Sequence, residues 1–594
     1  MTRRIAKVRA PELNGRGWLN TGGETLRIAD FRGSFLLLDF WTFCCINCLH
    51  VLDELRPVEQ KWADELVVVG VHSPKFVHEA DPVALAAAVE RYAVHHPVLD
   101  DPELETWQAY TARAWPTLVL VDPEGYVVAQ YAGEGHAHAV DALIGELVEE
   151  HRAKGTLQPG DSPYVPPTVE PSDLRFPASA MRLDADRLVV ADAGHNEVVV
   201  LGAPGAERDG EVLQRIGGFN EPNGVAVVPE HLREQLGYDL VVADTVGHRI
   251  AAVTLADGKV RTLAGDGQQW MAGDGVTRLS SPWDVVFWRD LVWIAMAGTH
   301  TIWTFDPFTG VVEATCGTTN EGLLDGPVAE AWFAQPSRLA VDTERDRLWI
   351  ADSETSAIRY LHDVDGELHV STEVGTGLFD FGLRDGDVAQ ALFQHPLGVA
   401  VLADGSIAVA DTYNGAVRRI HDGVVSTLAT GLMEPSGLLA DDADPTTLLV
   451  VESTGHRITA LPLGGVVEVD GFAHRTQRPV TEVAAGVELV IDFTPPPGQK
   501  VDDRFGPPTQ LLVTSTPDAL IREGEGRGTD LTRRIVLDPT VGEGVLHVAA
   551  RAGSCDIEAG EGAACHMHQQ DWGVPVRVVV GADAELRLPL GGTA

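Results

Sequence analysis

The stretch Phe40-Trp41-Thr42-Phe43-Cys44-Cys45-Ile46-Asn47-Cys48 decides the fold of the first part of this chain, because it places a Cys-x-x-Cys pair between a strand and a helix. The apolar run Phe35 to Leu38 predicts the strand, and the helical pattern begins near Cys45. A thiol at a helix N-terminus lies over unpaired backbone N–H groups, which stabilise its thiolate. The sequence therefore predicts a redox pair in which Cys45 is the nucleophile and Cys48 resolves the mixed disulfide. Cys44 falls outside this pair.

Other residues in the first quarter of the chain resemble the thioredoxin-like domain of bacterial thiol-disulfide oxidoreductases. Asp39, at the end of the strand before the cysteines, matches the buried carboxylate that helps to move the proton of the resolving thiol. Trp115-Pro116-Thr117 matches the family's cis-proline loop, which lies beside the cysteines and binds extended substrate backbone. The resemblance implies an α/β thioredoxin-like domain in which Asp39 and Pro116 act with Cys45 and Cys48.

Length and composition define the class of protein. A chain of 594 residues is too long for one hydrophobic core, so several domains are expected. The formal net charge of −43 disfavours nucleic acid as a partner, because binding phosphates requires clustered Lys and Arg. No stretch approaches the length of a membrane span, and Pro11, Asn14 and Gly15 occupy the place where a signal peptide would need its apolar region. We therefore expect a soluble, cytoplasmic protein with mostly reduced thiols and no membrane partner.

From about Leu174 to Gly465 the chain repeats a unit of short strands. The units open with a proline before a strand, at Pro177, Pro222, Pro282, Pro336, Pro396 and Pro435. A second strand ends in Ala-Asp or a variant, at Asp192, Asp244, Met296, Asp352, Asp411 and Glu452. Four short strands in each of six units predict a six-bladed β-propeller, and the order of features resembles NHL repeats. We interpret the Asp as a cap that accepts backbone N–H bonds in the turn that it opens.

Histidines recur at one position of the repeat, directly after that turn. His248, His300 and His456 take this position in three units, and Asn196, Ser356 and Gly415 take it in the others. Some NHL-type propellers hold metal in their channel, so a metal-binding ring is one interpretation. The alternative is that each histidine belongs to its own turn and bonds the next strand. The incomplete ring favours this alternative, and we predict no metal and no cofactor.

A Pro-rich linker and a third domain complete the chain. Residues 153–170 contain four prolines between 159 and 167, which exclude a helix or a central strand. After Gly465 the repeat stops, and short β-branched stretches predict an all-β domain of the sandwich type. Cys555 and Cys565, the latter followed by His566-Met567-His568, could bind zinc or copper, oxidise reversibly or be unconnected. The isolated Cys316 is interpreted as a packing residue.

The order of these domains resembles the NHL repeat-containing protein 2 family across nearly the whole chain. The predicted boundaries are 1–152 for the thioredoxin-like domain, 153–170 for the linker, 171–466 for the NHL propeller and 467–594 for the β-sandwich-like domain. Two functions remain open. The first is a cytoplasmic thiol-disulfide oxidoreductase that acts on protein clients, or with cellular thiol reductants, and uses the propeller to bind clients. The second is a non-catalytic interaction scaffold, which the unusual Cys44 and Ile46-Asn47 keep open.

Overall fold

The computed structural model describes residues 8–271, 275–378, 380–440, 444–469, 471–475, 480–495, 499–501, 508–556 and 565–590. Its internal contacts divide the chain into two compact units, one formed by residues 1–169 together with 477–594 and the other by residues 170–476. The first unit therefore combines the thioredoxin-like domain with the C-terminal β domain. None of the helices in the described residues has the length and apolar character needed to cross a membrane.

The thioredoxin-like domain is a seven-stranded sheet in the order β1-β7-β6-β3-β4-β5-β2. Its elements are β1 (Val8–Arg9), β2 (Gly17–Leu19), β3 (Phe35–Trp41), α1 (Ile46–Lys61), β4 (Leu66–His72), α2 (Pro82–Arg91), β5 (Val98–Asp100), α3 (Glu105–Ala109), β6 (Thr117–Val121), β7 (Tyr126–Ala132) and α4 (Ala137–Lys154). Strands β3, β4 and β5 are parallel to one another, and β6 runs antiparallel to β3.

Strand β3 is the centre of this domain, and all seven of its residues are buried. Its apolar side chains alternate between two cores, because successive residues of a strand point to opposite faces. Phe35 and Leu37 belong to the core under helices α1 and α4, whereas Leu36 and Leu38 belong to the core on the other face. A strand that is covered on both faces is apolar throughout, which explains why the run before the cysteines carries only one charge.

In the described residues, the propeller unit contains six blade sheets, one for each predicted blade, and one further two-stranded sheet. Blades one to three each contain four antiparallel strands: β8 (Pro177–Arg182), β9 (Arg187–Asp192), β10 (Glu197–Gly202) and β11 (Val212–Ile216); β12 (Pro222–Val227), β13 (Leu240–Asp244), β14 (Arg249–Thr254) and β15 (Lys259–Ala264); β16 (Pro282–Trp288), β17 (Leu291–Met296), β18 (Thr301–Phe305) and β19 (Val312–Cys316). A short helix, α5 (Glu230–Leu236), connects β12 to β13.

Blades four to six depart from four strands. Blades four and five each gain a two-residue fifth strand. Blade four consists of β20 (Gly326–Pro327), β21 (Pro336–Asp342), β22 (Arg347–Asp352), β23 (Ala357–Val364) and β24 (Glu367–Val374). After β25 (Asp380–Leu383), which lies outside the blades, blade five consists of β26 (Gly386–Asp387), β27 (Gly398–Val401), β28 (Ile407–Asp411), β29 (Ala416–His421) and β30 (Val424–Ala429). Among the described residues, blade six has three strands, β31 (Pro435–Ala440), β32 (Thr447–Glu452) and β33 (Arg457–Pro462), where the repeat predicted four.

The ring closes by packing of inner strands. Each blade's first strand contacts the first strand of the next blade, and β31 of blade six contacts β8 of blade one in the same way. In the described residues, the sheets of blades one and six each consist of consecutive strands of their own blade, so neither blade contributes a strand to the other. After blade six, β34 (Phe472–Arg475) pairs with β25, so the propeller unit extends to residue 476, beyond the predicted boundary at 466.

The C-terminal domain is all β, as predicted. Its strands are β35 (Thr481–Phe493), β36 (Gln499–Val501), β37 (Thr509–Thr516), β38 (Ile521–Glu523), β39 (Gly526–Gly528), β40 (Thr532–Leu537), β41 (Glu543–Asp556), β42 (Cys565–Val578) and β43 (Asp583–Leu590). They join in one sheet that curls into a half-barrel around a single apolar core, which includes Val487, Leu511 and Trp572. Ala114 of the thioredoxin-like domain belongs to the same core.

Candidate redox site

The three cysteines lie in the turn that connects β3 to α1. Cys45 is the residue before the first turn of the helix, with an extended backbone, and its carbonyl accepts the N–H of Cys48 at 3.0 Å. Cys45 is half-buried, whereas the side chains of Cys44 and Cys48 are buried. The structure thus brings Cys45 and Cys48 together at the helix start, with Cys45 as the more accessible of the two.

Burial and neighbouring groups distinguish Cys48 from Cys45. Burial raises the pKa of the Cys48 thiol well above its usual value, and a hydrogen bond with the Cys45 thiol and the negative charge of Asp39 raise this pKa further. A thiol with a raised pKa stays protonated near neutral pH, so it is a poor first nucleophile. Cys48 is therefore suited to the later step, in which it resolves a mixed disulfide.

Asp39 lies near the end of β3, close enough to Cys48 for its charge to act on that thiol. Its side chain is fully buried, and neither carboxylate oxygen has a hydrogen-bond partner among the described residues. Burial raises the pKa of Asp39 well above its usual value, and the nearby Glu59 and Glu54 raise it further. A buried carboxylate with a raised pKa can take up and return a proton, which is the chemistry that the sequence assigned to Asp39.

The opposite wall of the site is the loop before β6. The Trp115–Pro116 peptide bond is cis, as predicted, and Thr117 pairs in register with Phe40 of β3. The Trp115 ring packs against Trp107, with ring centroids 4.4 Å apart, and its indole N–H donates to the carbonyl of Ser73 at 2.8 Å. Pro116 therefore lies at the end of the strand that leads to the cysteines.

Two buried polar residues near the site were missed by the sequence reasoning. Glu79, in a short 3₁₀ helix after β4, accepts hydrogen bonds from the hydroxyl of Thr42 and the backbone N–H of Cys44. His72, at the end of β4, stacks on Phe43 with ring centroids 5.3 Å apart, and burial lowers its pKa to about 3. Neither residue belongs to a motif, so the sequence offered no signal for them.

The repeated histidines of the propeller act as turn residues. The Nδ1 atoms of His248, His300 and His456 accept the backbone N–H of Ser281, Gln335 and Phe176, at 3.0 to 3.1 Å. Asn196 and Ser356 accept equivalent N–H groups of Glu221 and His395. Each acceptor therefore connects one blade to the opening of the next, and His456 connects the last blade to the first.

Where the second strand of a blade ends in Asp, its carboxylate accepts backbone N–H groups, as predicted, but these groups belong to a different segment from the predicted one. In four blades, Asp192, Asp244, Asp352 and Asp411 accept the N–H groups of residues that precede the same blade's first strand, and Glu452 does so in blade six. The predicted partner was the turn that follows the Asp. The Asp bonds the residues before the first strand because the first two strands of a blade are antiparallel. This pairing places the end of the second strand beside the beginning of the first strand, as for Pro177 and Asp192.

The remaining candidate ligands lie elsewhere in the chain. Cys555 and Cys565 are paired in register across β41 and β42, but their side chains and residues 557–564 lie outside the described residues. Cys316 is buried, and burial raises its pKa to about 12, as expected of a packing residue. In the described part of the chain, Asp122, Glu124 and His151 place ligand atoms within 4.8 Å of one another. Lys154 lies 3.8 Å from Glu124 and already supplies a positive charge there.

Comparison with known proteins supports the class that the fold defines, a thioredoxin-like domain joined to an NHL propeller. The thioredoxin-like family model matches residues 33–127, and the NHL repeat model matches residues 393–420. NHL repeat-containing protein 2 of Gallus gallus is 32% identical over 533 residues, covering 78% of this chain and 71% of the relative. The chain belongs to the NHL repeat-containing protein 2 family.

Two further relatives align over a smaller share of either this chain or their own length than NHL repeat-containing protein 2 does. The chloroplastic protein SUPPRESSOR OF QUENCHING 1 of Arabidopsis thaliana is 35% identical over 470 residues, covering 71% of this chain. The aligned part is 44% of that relative's length. The thiol-disulfide oxidoreductase YkuV of Bacillus subtilis is 24% identical over 141 residues, covering 24% of this chain and 94% of that protein.

Proposed function

We propose that this protein is a thiol-disulfide oxidoreductase that acts on protein clients through Cys45 and Cys48. The observation that carries the proposal is the arrangement of the pair. A half-buried Cys45 at the start of α1 is hydrogen-bonded to a buried Cys48, and the charge of Asp39, whose carboxylate has no hydrogen-bond partner among the described residues, acts on Cys48. A protein that needed only the fold would gain no stability from a buried carboxyl group without partners. The relationship to a bacterial thiol-disulfide oxidoreductase also supports this activity.

The exchange has two steps. The Cys45 thiolate attacks one sulfur of a client disulfide, forms a mixed disulfide and releases the client's other sulfur as a thiolate, which takes up a proton. Asp39 then accepts the proton of Cys48, whose sulfur attacks Cys45 and releases the second client thiol. The client disulfide gains two electrons and two protons, and the protein dithiol becomes the Cys45–Cys48 disulfide. The same steps in reverse oxidise a client.

The other parts of the chain have roles in client binding under this proposal. The cis-Pro116 loop provides the wall along which extended client backbone lies beside Cys45. The propeller acts as a platform that binds the client protein, because propellers present their loops on broad rims. A cellular thiol reductant restores the dithiol, and the place of action is the cytoplasm.

The proposal is tested by trapping clients. A Cys48→Ser variant cannot resolve the mixed disulfide, so it should retain clients covalently on Cys45 in a cell extract. The matched control is Cys45→Ser, which keeps Cys48 but lacks the attacking sulfur. We expect reducible adducts on Cys48→Ser that are absent from the control. Equal adducts on both variants would refute the proposed exchange and favour the interaction scaffold.

A further inference from the structure

Glu79 is a buried carboxylate with a complete set of hydrogen bonds. Its side chain is fully buried, and each oxygen accepts two bonds. Oε1 accepts from the hydroxyl of Thr42 at 2.6 Å and from the N–H of Cys44 at 2.9 Å. Oε2 accepts from the N–H groups of Lys75 and Phe76, at 2.9 and 2.8 Å. Four donors therefore satisfy both oxygens, which is the set of partners that a carboxylate requires when it is buried.

These bonds connect the cysteine turn to a second loop, residues 73–79. The same loop is fixed at its other end, because the N–H of Ser73 donates to the carbonyl of Trp41 at 2.9 Å. The carbonyl of Ser73 accepts the indole N–H of Trp115, the residue before Pro116. The loop of residues 73–79 therefore contacts both the cysteine turn and the residue before Pro116. Glu79 makes its hydrogen bonds to the cysteine turn.

We propose that Glu79 is a positioning residue that sets the redox equilibrium of the Cys45–Cys48 pair; this inference rests on the proposed function. By holding Thr42 and the backbone of Cys44, it fixes the turn that places Cys45 at the start of α1. Its negative charge lies next to that turn and disfavours the Cys45 thiolate. The charge of Glu79 favours the disulfide over the dithiol, because a stable thiolate would favour the dithiol form and the neighbouring negative charge opposes it.

The test is the equilibrium of the full-length protein with glutathione. In this reaction the protein dithiol and one oxidised glutathione give the protein disulfide and two reduced glutathiones, so two electrons and two protons balance. Glu79→Gln keeps the size of the side chain and removes its charge. We expect this variant to favour the dithiol about tenfold more than the wild-type protein does, which is about 30 mV for a two-electron couple.

The matched control is Asp122→Asn, which removes the charge of another buried carboxylate. Asp122 accepts the backbone N–H groups of Glu124 and Tyr126 in the turn between β6 and β7, and it does not contact the cysteine turn. We expect its equilibrium constant to stay within about twofold of the wild-type value. A Glu79→Gln equilibrium within the same range, or an equal change in both variants, would overturn the inference.

Failure of the proposed function gives a different result, because the wild-type protein would then form no Cys45–Cys48 disulfide in any glutathione mixture. If Glu79→Gln does not fold, Thr42→Val provides the second test. This variant keeps the charge of Glu79 and removes one donor from it, so the negative field at Cys45 increases. We expect the disulfide to be favoured by about threefold, and an unchanged constant or a shift toward the dithiol would count against Glu79.

Discussion

Asp39 is buried with both oxygens unpartnered among the described residues, so it lowers the stability of the folded protein when it is ionised. Because its folded-state pKa is raised, the folded protein holds a proton on Asp39 more tightly than the unfolded chain does. The stability associated with that form is complete below the unfolded pKa of about 4 and is lost as the pH rises through the folded pKa. Asp39 is therefore most unfavourable for folding above its folded-state pKa.

Replacing Asp39 tests this electrostatic penalty. We expect Asp39→Asn to increase the free energy of unfolding at pH 7 by about 1–3 kcal/mol and to have no such effect near pH 4. Urea-dependent hydrogen exchange of strand β3 in the full chain measures this free energy. The same variant should resolve mixed disulfides about tenfold or more slowly, because the proton acceptor is lost. A variant that is less stable than the wild-type protein at pH 7 would contradict the assignment.

At the residue scale, the sequence predicts chemistry that lies within a local motif. Cys45 and Cys48 lie close to Asp39 in the chain, and Trp115-Pro116, which precedes an apolar run, was identified by its resemblance to the family's cis-proline loop. Glu79 was not predicted, because it is 35 residues from Cys44 and belongs to no motif. Only the return of the chain after β4 brings its carboxylate to the cysteine turn.

The blade is the element that the repeat specifies best. Its proline opening, its second strand and its acceptor after the turn recur in order, and the structure uses the acceptor to bond the next blade. The acceptor can be histidine, asparagine or serine, because the geometry requires only one acceptor atom at that position. This explains why the histidines recur without forming a complete ring.

The bond between blades six and one can be tested at His456. We expect His456→Ala to lower the free energy of unfolding of the propeller by about 1–3 kcal/mol, because the buried N–H of Phe176 loses its acceptor. Asn takes the equivalent position in blade one, so His456→Asn should retain most of the stability. Calorimetry of the full chain measures both, and equal losses in the two variants would contradict the proposed acceptor role.

At the scale of the whole molecule, Arg338 holds the propeller together along its axis. It extends from β21 of blade four and forms an ion pair with Asp284 of blade three at 3.0 Å. Its guanidinium also donates to three carbonyls of the inner strands, those of Ala178 in blade one, Asn223 in blade two and Ser436 in blade six. The sequence could not predict this contact, because it depends on the closure of a ring that brings partners as far as 160 residues along the chain to Arg338.

Removal of Arg338 should therefore affect the propeller as a whole. We expect Arg338→Met to lower its free energy of unfolding by about 3–5 kcal/mol, because Asp284 is left buried without its cation. Adding Asp284→Asn should restore part of this loss. Arg187→Met is the control, since Arg187 and its partner Asp184 in blade one are both exposed and their pair should contribute less than about 1 kcal/mol. Calorimetry that shows equal small losses for Arg338 and Arg187 would refute the axial role.

The most direct test of the central claim is the order in which the thiols react in the full-length protein. After brief treatment of the reduced protein with iodoacetamide at pH 7, peptide fragmentation locates the label on Cys44, Cys45 or Cys48. We expect Cys45 to react about tenfold or more faster than the two buried thiols, and Cys45 and Cys48 to be protected together after oxidation by glutathione. Fastest labelling of Cys44, or no joint protection of Cys45 and Cys48, would contradict the account.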